Sequence, residues 1–239
     1  MSRILLAVTA LAFLLPSAAS AQITAQPIGN PYLAGGPPIV GQFAAVDHLS
    51  HALTSTGGVS GSRASHSVTV TVPGGGFVTG LEMGERQNRP CMLNLNWARI
   101  ENGALFTGTT PYTRTGGCSG QSRQTVGVRG LRAPAEPDAE LALRAVTGLK
   151  VCQNNGSDRV KGLALQARYI DNLSPQYAGL GASANAGRFE RPNCNDWEQD
   201  FESCPNGRVM IGLEVHLDQQ SGPEIKGLAP ICGRLRIHQ

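Results

Sequence analysis

The chain has 239 residues, a formal net charge of +3, only 15% charged residues and 30 glycines. Lysine is rare and the arginines are scattered, so no basic cluster of the kind that follows a nucleic-acid backbone is present, and nucleic acid is not an expected partner. The length suits one large β domain or two small ones, and the glycine-rich, weakly charged composition favours turns and strands over helices.

Residues 1–21 are organised as an export signal. Arg3 is followed by the apolar run Ile4–Leu15 and by the small residues Ala18-Ala19-Ser20-Ala21 before Gln22. That run is short for a bilayer span and no later one reaches about 18 apolar residues, so no transmembrane segment is expected. The cleavage region has no cysteine for a lipid anchor. Removing Arg3 takes the net charge from +3 to +2. The expected product is secreted, extracellular or periplasmic.

Residues 22–65 are expected to form a flexible arm. Pro27, Pro31, Pro37 and Pro38 lack the N–H that a helix interior or central strand needs. Within the arm, Phe43, Val46, Leu49 and Leu53 fall on one face of a helical wheel and predict a short helix over Gln42–Leu53. Thr54–Arg63, rich in glycine and serine, reads as a loop.

From His66 the period becomes two, and residues 66–239 read as a single β domain. Val68, Val70 and Val72 alternate with polar residues and predict a strand, which Pro73-Gly74-Gly75-Gly76 ends. Phe77–Met83 and Cys91–Ile100 follow as strands, with Leu93, Leu95 and Trp97 on one face and Asn94, Asn96 and Ala98 on the other. Glu101–Gly120 is a hairpin or long loop, Gln124–Leu131 a strand, and Glu140–Val151 a further strand. The stretch before Cys204, rich in Gly, Ala, Asn and Ser, reads as a long surface excursion, where recognition often resides.

A repeat organises this domain. Val78-Thr79-Gly80-Leu81 returns as Val146-Thr147-Gly148-Leu149, and Gly212-Leu213 opens the last copy. Gly80, Gly148 and Gly212 are 68 and 64 residues apart, and the second-segment leucines Leu93, Leu163 and Leu228 are 70 and 65 apart. Each copy is a hairpin too small to stand alone, so three are expected to bury their inner faces together. Gly80 permits a bulge or a close backbone approach. In the last copy Leu213, Val215 and Leu217 are expected to point inward, leaving Glu214 and His216 outside.

Cys91, Cys118, Cys152, Cys194, Cys204 and Cys232 are the six cysteines. An even number in an exported chain reads as disulfides, and the absence of close Cys-x-x-Cys spacing argues against a metal cluster. The preferred pairing is Cys91–Cys118, Cys152–Cys194 and Cys204–Cys232; Cys194–Cys204 is the shortest alternative.

The Val-x-Gly-Leu-x-Val segment, the following Gly-Leu-Ala-Leu, Cys204-Pro205-Asn206-Gly207 and the late Cys232 together resemble vitelline membrane outer layer protein I and its secreted relatives. The resemblance covers roughly Val68–Ile237 and is strongest in Val146–Ile170 and Gly207–Arg234. It implies an all-β fold, a β-prism of three Greek-key sheets with pseudo-threefold symmetry, as in jacalin-type lectins. It also implies a lectin-like, carbohydrate-binding function, although those relatives have been discussed as acting on amino-sugar oligomers.

Candidate site residues follow from chemistry. A sugar site needs directional polar groups and an aromatic platform, which Asp196 and Trp197 could supply in the excursion and Asn94, Thr110 and Tyr112 near the first repeat. Asp196, Glu198, Asp200 and Glu202 stand at alternate positions and are candidate calcium ligands, although their spacing is not that of an EF-hand; no other cofactor is expected. For the aromatic residues and the acidic run, core packing and a solvated loop are the plainer readings. No nucleophile-elbow sequence is present. His48 and His51 lack a third ligand, and Glu214 and Glu224 face one another only if the last hairpin opposes them. A non-catalytic protein is therefore expected, with an extracellular polysaccharide as partner; the alternative is a structural coat component that docks on a surface protein. Asn155-Gly156-Ser157 and Asn172-Leu173-Ser174 are acceptor sequons.

Overall fold

The computed structural model describes residues 39–40, 46–86, 89–113, 122–127, 143–173, 176–218 and 224–239. The expected signal segment, and residues 22–38 and 41–45 of the expected arm, lie outside these residues. In chain order the strands are β1 (Ile39–Val40), β2 (His48–Thr56), β3 (Ser60–Gly61), β4 (His66–Thr71), β5 (Phe77–Arg86), β6 (Arg89–Glu101), β7 (Ala104–Thr113) and β8 (Ser122–Gly127). There follow β9 (Arg144–Gln153), β10 (Val160–Leu173), β11 (Ala178–Glu190), β12 (Asp196–Trp197), β13 (Glu202–Ser203), β14 (Val209–Leu217) and β15 (Ile225–His238). All described regular structure is strand.

Pairing resolves these strands into three antiparallel groups. The first has the order β8-β5-β6-β7. The second is β11-β10-β9, with β12 and β13 as successive pieces along the free side of β9. In both, three hairpin-linked strands are followed by one that returns beside the first, which is the Greek-key order. The third group, β4-β14-β15-β2, has the same spatial order but takes its strands from both ends of the chain. The first and third groups touch through one ladder pair, His48 with Glu101. The result is a β-prism with pseudo-threefold symmetry.

The glycine-leucine repeat explains the symmetry physically. In every unit the first strand carries one extra residue immediately before the glycine. Val78 and Gly80 face consecutive residues of β6, as Val146 and Gly148 do on β10 and Met210 and Gly212 on β15. Thr79, Thr147 and Ile211 are thus the extra residues of three equivalent bulges, which bend each strand around the core. The glycine is demanded by the neighbouring strand: a Cβ on Gly212 would lie 2.5 Å from the Val70 carbonyl oxygen. A second set of bulges is equally regular, skipping Cys91, Lys161 and Lys226, each two residues before the second leucine.

Leu81, Leu93, Leu149, Leu163, Leu213 and Leu228, the six repeat leucines, are fully buried in one shared core. The hairpin-turn end is closed by ion pairs between units. Lys161 reaches Glu85 at 2.9 Å, Arg191 reaches the same carboxylate at 3.1 Å, and Glu224 lies between Arg89 and Arg159.

Cys152–Cys194 and Cys204–Cys232 are formed as expected, each with Cα atoms 5.5 Å apart. In the chain-entropy model loops of this size contribute roughly 3.5–4 kcal/mol each. Cys91 is disulfide-bonded; Cys118, its expected partner, lies outside the described residues.

Several expectations are corrected. His48–Thr56 is a strand paired with β15, not the end of a helix or of a flexible arm, because its backbone completes the third sheet. The expected loop 54–63 contains the end of that strand and β3. Glu101–Gly120 includes a ten-residue strand. The long excursion before Cys204 is instead ordered as β11, β12 and β13 of the second sheet. His216 is buried at 5% exposure rather than solvent-facing, since β14 is a central strand between β4 and β15 and both its faces are covered. Glu214 is half-buried.

Candidate functional site

The outer face of the second sheet is set by the alternation of β9 and β10. Leu149, Val151, Leu163 and Leu165 point into the core, so Gly148, Lys150 and Cys152 on β9 and Gly162, Ala164, Gln166 and Arg168 on β10 point outward. Two of these outward positions are glycines, and that lets the Cys194–Cys204 segment lie close. A Cβ on Gly162 would come within 3.1 Å of Cζ2 of Trp197, and one on Gly148 within 2.9 Å of the Ser203 hydroxyl.

The segment is held at both ends by ladder pairs with β9, Trp197 opposite Cys152 and Ser203 opposite Gly148. Its two disulfides bracket it. Trp197 is half-buried. Its indole N–H donates to Glu190 Oε1 at 3.1 Å, and Arg188 and Lys150 stand 5.7 and 6.0 Å from the ring centroid. Lys150 also lies 4.9 Å from the Phe201 ring. The indole is thereby fixed in orientation on a basic surface.

Further along β9 is an open cleft of about 140 Å³, lined by Thr147, Gln166, Arg168, Ser203, Asn206 and Arg208 together with Leu180. The Ser203 hydroxyl donates to Gln166 Oε1 at 2.7 Å. Arg168 Nε donates to the Gly181 carbonyl at 2.8 Å, and Arg208 Nη1 to the Ser55 hydroxyl at 2.6 Å. The ladder partners of Trp197 and Ser203 are four positions apart on β9, roughly 13 Å of extended strand.

The sequence-stated candidates separate. Trp197 lies on this face, opposite Cys152; Asp196 is exposed and opposes Gln153, on the other side of the strand. Asn94, Thr110 and Tyr112 do not form one site. Asn94 pairs with Pro111 and is buried, its amide donating to Glu82 Oε2 at 2.7 Å. Thr110 and Tyr112 pair with the core leucines Leu95 and Leu93, on the opposite face of the sheet, and Tyr112 packs against the core.

The four acidic residues also part. Glu198 Oε1 accepts the Gly61 N–H at 3.1 Å, and Glu202 lies against Gly58, whereas Asp196 and Asp200 are exposed. Strand pairing spreads the carboxylates along β9: Asp196 opposes Gln153 and Glu202 opposes Leu149, four positions away. Among the described residues no three His, Cys, Asp or Glu side chains gather as a metal cluster. Glu214 and Glu224 are not opposed either: Glu214 faces Ala229, and Glu224 sits at the far end between arginines.

Gln166, Arg168, Ser203, Asn206 and Arg208 escaped the sequence reading. A signal for two of them was present: Gln166 and Arg168 are polar residues two apart in the otherwise apolar run Gly162–Ile170. Their union with Ser203 and Arg208 depends on the fourth strand and has no linear signature.

No protein-family model and no curated protein matches the chain. Solved structures similar to it include Calsepa lectin in complex with a bisected glycan, at 12% identity, 79% of this chain, 99% of that one and a TM-score of 0.38. Calystegia sepium agglutinin shows 13% identity, 76% and 97% coverage and a TM-score of 0.39. Calsepa lectin with a biantennary N-glycan shows 12% identity, the same coverages and a TM-score of 0.40. None of the three is a vitelline membrane protein, and at these scores the likeness adds nothing to the strand order, which by itself gives the prism.

Proposed function

We propose that this is an exported, non-catalytic carbohydrate-binding protein whose site is the outer face of the second sheet. One observation carries the reading: a fixed, half-exposed indole and a polar cleft share one rigid sheet face, on ladder positions about 13 Å apart along β9. A pyranose offers an apolar C–H face and a rim of hydroxyls. Trp197 suits the first; Gln166, Ser203, Thr147 and Asn206 suit the second as donors and acceptors. The spacing favours an extended oligosaccharide over a single sugar. Placement on strands closed by two disulfides reduces the ordering cost of binding. Export is supported by the leader and by the disulfides, which persist in oxidising compartments.

The test is a glycan screen with oxidised protein beginning at Gln22. Binding is expected to at least one polysaccharide class, with Trp197→Ala and Gln166→Ala each weakening it about tenfold or more, because each removes a separate contact. Absence of binding to every glycan, or binding indifferent to both substitutions, would overturn the assignment.

A further inference from the structure

We infer that the saccharide taken by this face is anionic, its carboxylate or sulfate held in the cleft by Arg168 and Arg208. This rests on the carbohydrate reading above and adds the charge class of the ligand.

Several arginines elsewhere in the molecule are neutralised by carboxylates. Arg89 and Arg159 meet Glu224, Arg99 meets Glu101, Arg188 meets Glu190, and Arg191 meets Glu85. Among the described residues neither Arg168 nor Arg208 stands in an ion pair; Arg168 Nε donates to the neutral Gly181 carbonyl oxygen and Arg208 Nη1 to the neutral Ser55 hydroxyl oxygen. Both line the same cleft, and no Asp or Glu lines it with them. Two positive charges thus line one concave surface, with no carboxylate among the described residues that line it. A guanidinium carries five N–H donors in a planar fork suited to carboxylate and sulfate oxygens.

The two groups are also held in place. Arg168 projects from the central strand β10 of the sheet. Arg208 closes the turn begun by Pro205, its N–H bonded to the Pro205 carbonyl at 3.0 Å, with Gly207 at φ 75° and the adjacent Cys204 anchored to Cys232 on β15. The remaining wall is neutral, and in it Thr147, Gln166, Ser203 and Asn206 match hydroxyls beside the apolar Leu180 and Pro205. Oxyanion recognition and hydroxyl recognition are therefore combined in one cleft.

Titration calorimetry on the oxidised chain tests this with three hexasaccharides: an oligogalacturonate, a sulfated galactan and a neutral glucan. At least one acidic sugar is expected to bind, weakening about tenfold between 50 and 300 mM salt as exposed charges are screened. The arm that binds tells carboxylate from sulfate. Arg168→Gln and Arg208→Gln should each weaken it about tenfold, with Arg168→Lys intermediate because the charge stays while the fork is lost. Arg63→Gln, an equal charge change at an exposed position outside the cleft, should leave affinity unchanged. Unchanged melting temperatures separate lost contacts from lost folding. Should either glutamine variant melt early, oligogalacturonate or sulfate-galactan protection of Arg168 and Arg208 from a guanidine-directed dicarbonyl reagent, read by mass spectrometry on the unaltered protein, gives the same decision. The inference falls if the neutral glucan binds as well as the acidic sugars, if acidic binding survives both glutamine variants or weakens equally in Arg63→Gln, or if poly-glutamate binds as tightly. Each of those leaves the carbohydrate reading standing or addresses charge alone; binding to no glycan at all removes both.

Discussion

Arg159 and Glu224 stand at the same position of successive repeats, four residues before Leu163 and Leu228, and their side chains meet with Nε 2.5 Å from Oε2. Arg89, four before Leu93, is the third equivalent and lies 3.2 Å from the other oxygen of Glu224. Equivalent residues of three related units can touch only near the axis that relates them. The prism is therefore closed on its axis by two arginines and one carboxylate, an asymmetric answer to a symmetric position, because three like charges there would repel.

Glu224 is 1% exposed, so this contact is expected to be costly to break. Glu224→Leu should lower stability by about 1–3 kcal/mol, since it strips two partly solvated arginines of their shared carboxylate. Adding Arg159→Leu should recover part of the loss. Urea unfolding of the single and double variants measures the coupling; a coupling near zero would show that the triad contributes nothing as a unit.

The bulge glycines make a sharper prediction than their flexibility alone would. Gly212→Ala forces a Cβ to within 2.5 Å of the Val70 carbonyl oxygen and should cost about 1–3 kcal/mol, with loss of β4 pairing visible in amide exchange. Gly74→Ala, where no atom lies within 4 Å of the added Cβ, should be neutral or slightly stabilising. Equal effects at the two sites would mean that the close approach of β4 is not what demands glycine.

The two disulfides should separate in their consequences. Replacing Cys204 and Cys232 by serine is expected to lower global stability by roughly 3–4 kcal/mol, because the bond joins the second-sheet edge to β15. Replacing Cys152 and Cys194 should also release β12 locally, shifting Trp197 fluorescence towards that of an exposed indole before global unfolding begins. Coincident fluorescence and circular-dichroism transitions in that variant would contradict local release.

Truncation of the repeat leucines tests the symmetry of the core. Leu81→Ala, Leu149→Ala and Leu213→Ala remove equivalent, fully buried side chains and should cost a similar amount, about 2–5 kcal/mol each. A several-fold spread among the three, measured by chemical denaturation, would show that the units do not share one core equally.

The sequence by itself determined the repeat, its strand alternation and the inward leucines, because these are short-range facts: side chains alternate every two residues, and a glycine-leucine pair recurs wherever the same bulge must be built. It also carried the two disulfide pairings that the structure describes. Tertiary structure decided the rest, since hydrogen bonds between strands distant in the chain leave no local mark. His48–Thr56 looked helical by the spacing of Val46, Leu49 and Leu53, yet the free edge of β15 accepts it as a strand and so closes the third sheet from both chain ends. Asp196–Ser203 looked like a solvated acidic loop, yet pairing with β9 sets Trp197 outward on the sheet face, while Glu198 accepts the Gly61 N–H and Glu202 lies against Gly58. The cleft joins Arg168 of β10 to Arg208 of the following unit's entry turn, forty residues away in sequence, and only the folded sheet brings their charges together.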